Sequence, residues 1–287
     1  MTVTQFAGFD LQSVDDMASD YARVLIHGPQ GSGKSTLAST IAECGKTLYI
    51  DLIGEKGVRS FQGAAYSKNI QVIRPDSITA LDDLYWALDT GEHDYAAVVI
   101  DSLTSVQKMA MRYILGHDET AVREIRQGTS PADQRSWGQT LDIMTDTATF
   151  WYGLADAQRP KPIHVVMTAQ TKMVTDEDGH LTERAPDVQK GALSIALAAP
   201  DYILYTDVET NMDAIGDDSL PPVNHIVRFG ANPEYRTKGR IPVNLRGKLP
   251  PVLGRSSQPS LATLGRVLGW GGIPAAGNKN TKEQEKK

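Results

Sequence analysis

The fold is decided by Arg23-Val24-Leu25-Ile26-His27-Gly28-Pro29-Gln30-Gly31-Ser32-Gly33-Lys34-Ser35-Thr36. Its first five residues form a short apolar run of strand length, and Lys34–Glu43 beyond the glycines reads as helix. Between them, Gly28 to Ser35 is a complete G-x-x-x-x-G-K-[ST] phosphate loop. Glycine lets the backbone wrap closely with its N–H groups turned inward, and a helix start beside it adds a positive dipole end. Lys34 supplies a point charge for β- and γ-phosphates, and Ser35 a hydroxyl for Mg²⁺. Gly28, Pro29, Gln30, Gly31, Ser32, Gly33, Lys34, Ser35 and Thr36 are therefore the candidate nucleotide contacts.

Outward from the loop, strand-length apolar runs alternate with helical stretches. Thr47–Leu52, Asn69–Arg74, Tyr95–Ile100, Ile163–Thr168, Tyr202–Tyr205 and His225–Phe229 read as strands. In Ile78–Leu88, Leu81, Leu84, Tyr85 and Leu88 fall at i, i+3, i+4 and i+7, the helical spacing. This alternation implies right-handed crossovers and a mainly parallel central sheet flanked by helices, an α/β fold. Tyr95–Ile100 is continuously apolar, as in a parallel strand buried on both faces, and ends in Asp101. Beside a phosphate loop, such a strand-end acid suits Mg²⁺ held through water, so Ser35 and Asp101 are the candidate metal residues. The expected layout is an extension over 1–20, a core over 21–254, a short helical element over 255–271 and a disordered tail over 272–287. Residues 112–137 and Thr171–Gly191 read as long polar loops, with helix over Trp137–Leu154.

The chain resembles the RecA-like branch of P-loop ATPases, and within it phage AAA-like ATP-binding proteins of the Sak-type single-strand annealing recombinase group. The resemblance spans roughly residues 20–245. It rests on GPQGSGKST, TLYIDLIGEKG from Thr47, AAVVIDSLTS from Ala96, HVVMTAQTK from His164 and EYRTKGR from Glu234. It implies a RecA-like core, ATP with Mg²⁺ as cofactors, and work on single-stranded DNA by a ring or filament of chains. A single-strand binding protein is a further partner it suggests. By the same resemblance an acid after the second strand polarises the attacking water. Glu55 is preferred to Asp51, which ends the strand and lies too deep. Gln170 matches the polar sensor of the γ-phosphate. Lys238 and Arg240 match basic residues on a hairpin tip that reach a neighbour's γ-phosphate.

DNA enters through that resemblance more than through charge. Residues 112–137 carry Arg112, Arg123, Arg126 and Arg135, with Trp137 reading as a packed core residue rather than a stacking platform. Thr171–Gly191 carries Lys172, Arg184 and Lys190 among five acids, a poor funnel for phosphates. The net charge of −6 argues against a protein that coats polyanions. One cysteine, Cys44, rules out a disulfide within the chain and a cysteine-built metal centre. No apolar run approaches the roughly 20 residues that span a bilayer, and Met1–Asp20 lacks the basic start of a signal peptide. The expectation is a cytoplasmic protein without a membrane partner, in a host's cytoplasm if phage-encoded. The main alternative to an ATPase is a nucleotide-regulated DNA-binding or loader module with little hydrolysis. A small-molecule kinase is disfavoured, because neither a basic lid nor an acceptor-site acid can be placed.

Overall fold

The computed structural model describes residues 4–6, 9–11, 21–116, 133–217, 219–232, 234–255 and 258–273. Strands β1 (Thr4–Phe6) and β2 (Phe9–Leu11) pair antiparallel. The body of the chain folds around one large sheet. In chain order it contributes β3 (Arg23–Gly28), β4 (Thr47–Asp51), β5 (Ile70–Ile73), β6 (Ala97–Asp101), β7 (His164–Thr175) and β8 (Leu181–Pro186). There follow β9 (Tyr202–Thr210), β10 (Val223–Arg228), β11 (Lys238–Gly239) and β12 (Val252–Leu253). The spatial order is β12-β10-β9-β3-β7-β6-β4-β5, with β11 on β9 and β8 on β7. From β9 to β5 every neighbouring pair is parallel, so the expected α/β architecture is the observed one.

Parallel strands need crossovers, and the helices supply them. α1 (Lys34–Ser39) follows β3, and α2 (Ile78–Asp89) links β5 to β6. α3 (Leu103–Ile114) and α4 (Gln134–Gly153) lie between β6 and β7. α5 (Lys190–Ala198) leads into β9, and α6 (Leu261–Leu268) closes the described chain. Side chains alternate across the pleat, which divides the core in two. Leu25, Ile50, Val98, Ile100, Val165 and Met167 face a layer built with α2 to α5, which includes the fully buried Trp151. Val24, Ile26, Tyr49, Val99, Val166 and Leu204 face α1 and α6 on the other side. Each such fully buried aliphatic side chain stabilises the fold by about 1.5–3 kcal/mol, which is why continuous apolar runs became central strands.

Two expectations change. Thr171–Gly191 is no loop: β7 continues past the sheet edge and returns as β8, with Thr171 opposite Pro186 and a turn at Asp176–Gly179. From Thr171 to Arg184 its residues are exposed or half-buried on both faces, so apolar alternation is missing and the stretch reads as polar loop. Residues 112–137 are partly helix, since α3 runs to Ile114 and α4 starts at Gln134. Arg123, Arg126 and the tail from residue 274 lie outside the described residues.

Two buried histidines make a pH prediction. His27 and His164 are each held down to about pKa 4, chiefly by burial. His27 Nδ1 lies 2.9 Å from Thr171 Oγ1 and Nε2 2.9 Å from the Arg236 carbonyl, while His164 Nδ1 accepts from Ala22 N at 3.0 Å. The unfolded chain takes up these protons near pH 6.5, whereas the folded chain holds out to about pH 4. Stability is therefore complete above pH 6.5 and falls as pH drops through that window. Between pH 7 and pH 5 the expected loss is on the order of 2 kcal/mol per histidine. Urea unfolding at the two pH values checks it. Equal midpoints would show that these imidazoles are not held neutral.

Candidate nucleotide site

Every strand of the parallel core ends on one edge, and sheet register decides what meets there. Gly28 is opposite Gln170, and Asp51 is opposite Asp101. The β3 strand and the β6 strand are not neighbours, because β7 runs between them. The edge is thus a row of Asp51, Asp101, Gln170 and the phosphate loop, and a cleft of about 810 Å³ opens where Gln170 and the loop lie.

The loop's shape needs its glycines. A Cβ on Gly28 would collide with Thr206 and with Ser32 Oγ, so β9 presses against the loop only because Gly28 has no side chain. Gly33, at the N-cap of α1, has φ +94°, a left-handed conformation that glycine adopts without strain. Ser32 Oγ and Thr206 Oγ1 lie 2.6 Å apart, which locks the loop to β9. Lys34 is buried, with Nζ donating to the carbonyls of Gly28 at 3.0 Å and Pro29 at 2.8 Å. Burial pulls its pKa down, and the negative charges of Asp101 and Glu55 oppose that pull. The ammonium therefore folds over its own loop, where incoming phosphate oxygens would replace the two carbonyls.

Asp101 is buried and gathers hydroxyls. Oδ2 accepts from Ser35 Oγ at 2.7 Å and from Tyr49 OH at 2.6 Å, and Oδ1 accepts from Thr168 Oγ1 at 2.5 Å. Burial raises the Asp101 pKa, and these three donors and the nearby Glu55 modulate it. A Cβ on Gly57 would strike both Asp101 Oδ2 and Ser35 Oγ. The bare glycine backbone leaves a cradle facing a hydroxyl and a carboxylate, the hard oxygen donors that Mg²⁺ takes alongside phosphate and water. Ser35 and Asp101 therefore fit the metal expected of them.

The two rival acids are separated by their surroundings. Asp51 is buried and takes Arg74 Nε on Oδ2 at 2.9 Å, at the β4–β5 side of the sheet. Glu55 is half-buried and lines the cleft with Lys34 and Ser35. Ser102 Oγ at 2.5 Å and Ser105 Oγ at 2.7 Å both donate to its Oε1, so the first turn of α3 fixes the carboxylate. Gln170 lines the same cleft, and its backbone N donates to Thr104 Oγ1 at 3.0 Å. The structure thus brings Gln170 and Glu55 to the phosphate loop.

Lys238 and Arg240 are elsewhere. β11 pairs with Ile203 and Tyr202 at the start of β9, the sheet end opposite the phosphate loop, and is not a hairpin tip. Lys238 Nζ donates to the carbonyls of Leu197, Ala198 and Pro200 at 3.3, 3.0 and 2.7 Å. These are carbonyls at and just past the C-terminus of α5, which a helix leaves unpaired and a lysine satisfies. Arg240 pairs with Asp201 at 2.7 Å, with 62% of its side chain exposed.

Thr206 and His225 lie outside every quoted motif, and Tyr49 and Thr168 lie inside quoted stretches without a role assigned to them, so all four escape a reading of the sequence. His225 Nδ1 lies 3.3 Å from the Ser32 carbonyl and lines the cleft, although it stands on β10, 193 residues away in sequence. Around the expected DNA segments, Arg112, Arg135 and Trp137 are exposed. Trp137 is 43% exposed in the first turn of α4, so it is not the core residue expected. The Lys172 ammonium is taken up by the Val188 carbonyl, and Arg184 lies over the Tyr235 ring at 5.2 Å.

A strand, phosphate loop and helix, with the buried strand-end acid Asp101 two strands away across β7, define a P-loop nucleotide-binding protein. The chain belongs to the AAA domain family, whose model matches residues 20–241. No curated protein matches it. Among the described residues no helix is long and apolar enough to cross a membrane.

Proposed function

We propose that the chain is a Mg²⁺-dependent ATPase of RecA-like type, serving phage recombination or replication on single-stranded DNA as an oligomer of annealing or strand-exchange kind. The observation that carries hydrolysis is the convergence of Lys34, the Ser35–Asp101 pair and Glu55 on one cleft. Lys34 grips β- and γ-phosphate oxygens after leaving its own carbonyls. Bound Mg²⁺ would neutralise charge on those phosphates, held by Ser35 and Asp101. Glu55, fixed by two serine hydroxyls, orients a water and takes its proton, while Gln170 contacts the γ-phosphate from the end of β7.

Arg240 lies at the wrong end of the sheet for its own loop, so its part in the chemistry is at a neighbouring chain's phosphate, reached by an exposed side chain that leaves Asp201. Lys238 holds a helix end and is assigned no part in the chemistry. Exposed Arg112, Arg135 and Trp137 flank residues 117–132 and favour that side for DNA, cations for phosphates and an indole for a base. The β7–β8 hairpin is a weaker choice, because its tip carries Asp176, Glu177 and Asp178.

One experiment tests the reading: ATP turnover per chain as a function of protein concentration, with and without single-stranded DNA. Turnover should rise with both. A rate per chain independent of concentration removes the role in trans, and indifference to DNA removes the nucleic-acid assignment. Nucleotide binding without turnover would leave a loader in place of an ATPase.

A further inference from the structure

A second cleft of about 220 Å³ opens beside the phosphate loop and shares Gly33, Thr36, Ser60 and His225 with the first. The two are therefore continuous around the start of α1. On the nucleotide reading above, Lys34, Asp101 and Glu55 mark the terminal-phosphate end, and the second cleft, reached past Gly33 and Thr36 and walled by Leu37, is the space beside the loop left for a nucleoside. Leu37, Ile226, Val227 and Pro259 give it apolar walls, and Gln258 and His225 bring polar groups. An apolar slot with a few placed polar groups is what a flat heterocycle needs.

We propose that this cleft is the nucleobase subsite, that it takes adenine, and that Gln258 is its reader; the inference rests on the nucleotide reading above. An amide side chain offers a donor and an acceptor side by side, the pattern that pairs with the N6 amino group and N7 of adenine. Guanine presents two acceptors on the same edge, O6 and N7, and suits arginine or lysine. Among the described residues no arginine or lysine lines this cleft. Gln258 and Pro259 lie beyond residue 241, where the family match ends. Base selection is thus supplied by the segment leading into α6, not by the family domain. That segment is anchored to the helix following the loop, because Leu261 N donates to Thr40 Oγ1 at 2.8 Å.

The test is calorimetric binding of MgATP, MgGTP and Mg-tripolyphosphate to the full chain, its Gln258→Leu variant and its Gln258→Trp variant. Gln258 is exposed, so both replacements spare the core. The wild-type chain should prefer ATP to GTP by about 10-fold or more, the scale of one bidentate base contact. Gln258→Leu should remove that preference, and Gln258→Trp, which fills the cleft, should weaken both nucleotides. Tripolyphosphate, which has no base, should bind all three proteins equally. An ATP-to-GTP ratio unchanged in Gln258→Leu, or ATP affinity unchanged in Gln258→Trp, overturns the assignment. So does a loss of tripolyphosphate binding in either variant, which would place the residue's effect on the phosphate loop. A wild-type chain that binds neither ATP nor tripolyphosphate overturns the phosphate-loop reading itself, and this subsite with it.

Discussion

Lys34→Ala will weaken ATP binding by on the order of 100-fold and remove turnover, the scale of losing charge-assisted hydrogen bonds to two phosphates. The side chain is buried and points over its loop, where the Gly28 and Pro29 carbonyls hold the ammonium. Alanine removes the only charge in the loop and leaves those carbonyls to water from the cleft. Burial also means that the replacement costs some stability, so the fold must be checked separately by thermal unfolding. Lys34→Arg is the discriminating companion: it keeps the charge but cannot place it as a compact point. If alanine leaves affinity and turnover as they are in the parent, the phosphate-loop assignment is wrong.

The parts of this molecule that a sequence shows are the parts whose cause is local. Val24–Ile26 and Val98–Ile100 are buried on both faces, so continuous apolar runs mark them as central strands. The phosphate loop is local as well, since each of its residues serves the same few ångströms of backbone. The terminal acid of β6 follows from the same logic, and the structure places it 2.7 Å from Ser35.

What sheet pairing creates is not visible in that way. Thr206 reaches Ser32 across 174 residues of sequence, and nothing near Thr206 distinguishes it from any other strand threonine. Tyr49 looks like a core aromatic in TLYID, and its ring does pack there against Phe61. Its hydroxyl is what matters to the site, and its partner stands on another strand. K-G-R spacing likewise says that two cations lie on one side of a strand. It does not say that one of them would find the open end of α5. Trp137 misleads for a different reason: tryptophans are mostly packed, but this one lies in the exposed first turn of α4.

Glu55→Gln will keep nucleotide and Mg²⁺ affinity near the parent level and slow hydrolysis by about 100-fold or more, the usual contribution of a general base. Glutamine preserves the carbonyl oxygen that Ser102 and Ser105 donate to, so the first turn of α3 and the shape of the cleft should survive. Only the capacity to take a proton is lost. Asp51→Asn is the necessary partner experiment, because Asp51 ends its strand level with Asp101 and is the rival base. Its carboxylate is buried and engaged by Arg74, away from the cleft. Weakening that contact should lower the unfolding midpoint by more than it lowers turnover. The two variants therefore move different observables: one changes turnover at constant stability, the other stability at nearly constant turnover. If Asp51→Asn instead selectively abolishes turnover while Glu55→Gln stays active, water is activated at the strand end, and the serine-held carboxylate is only a brace for α3.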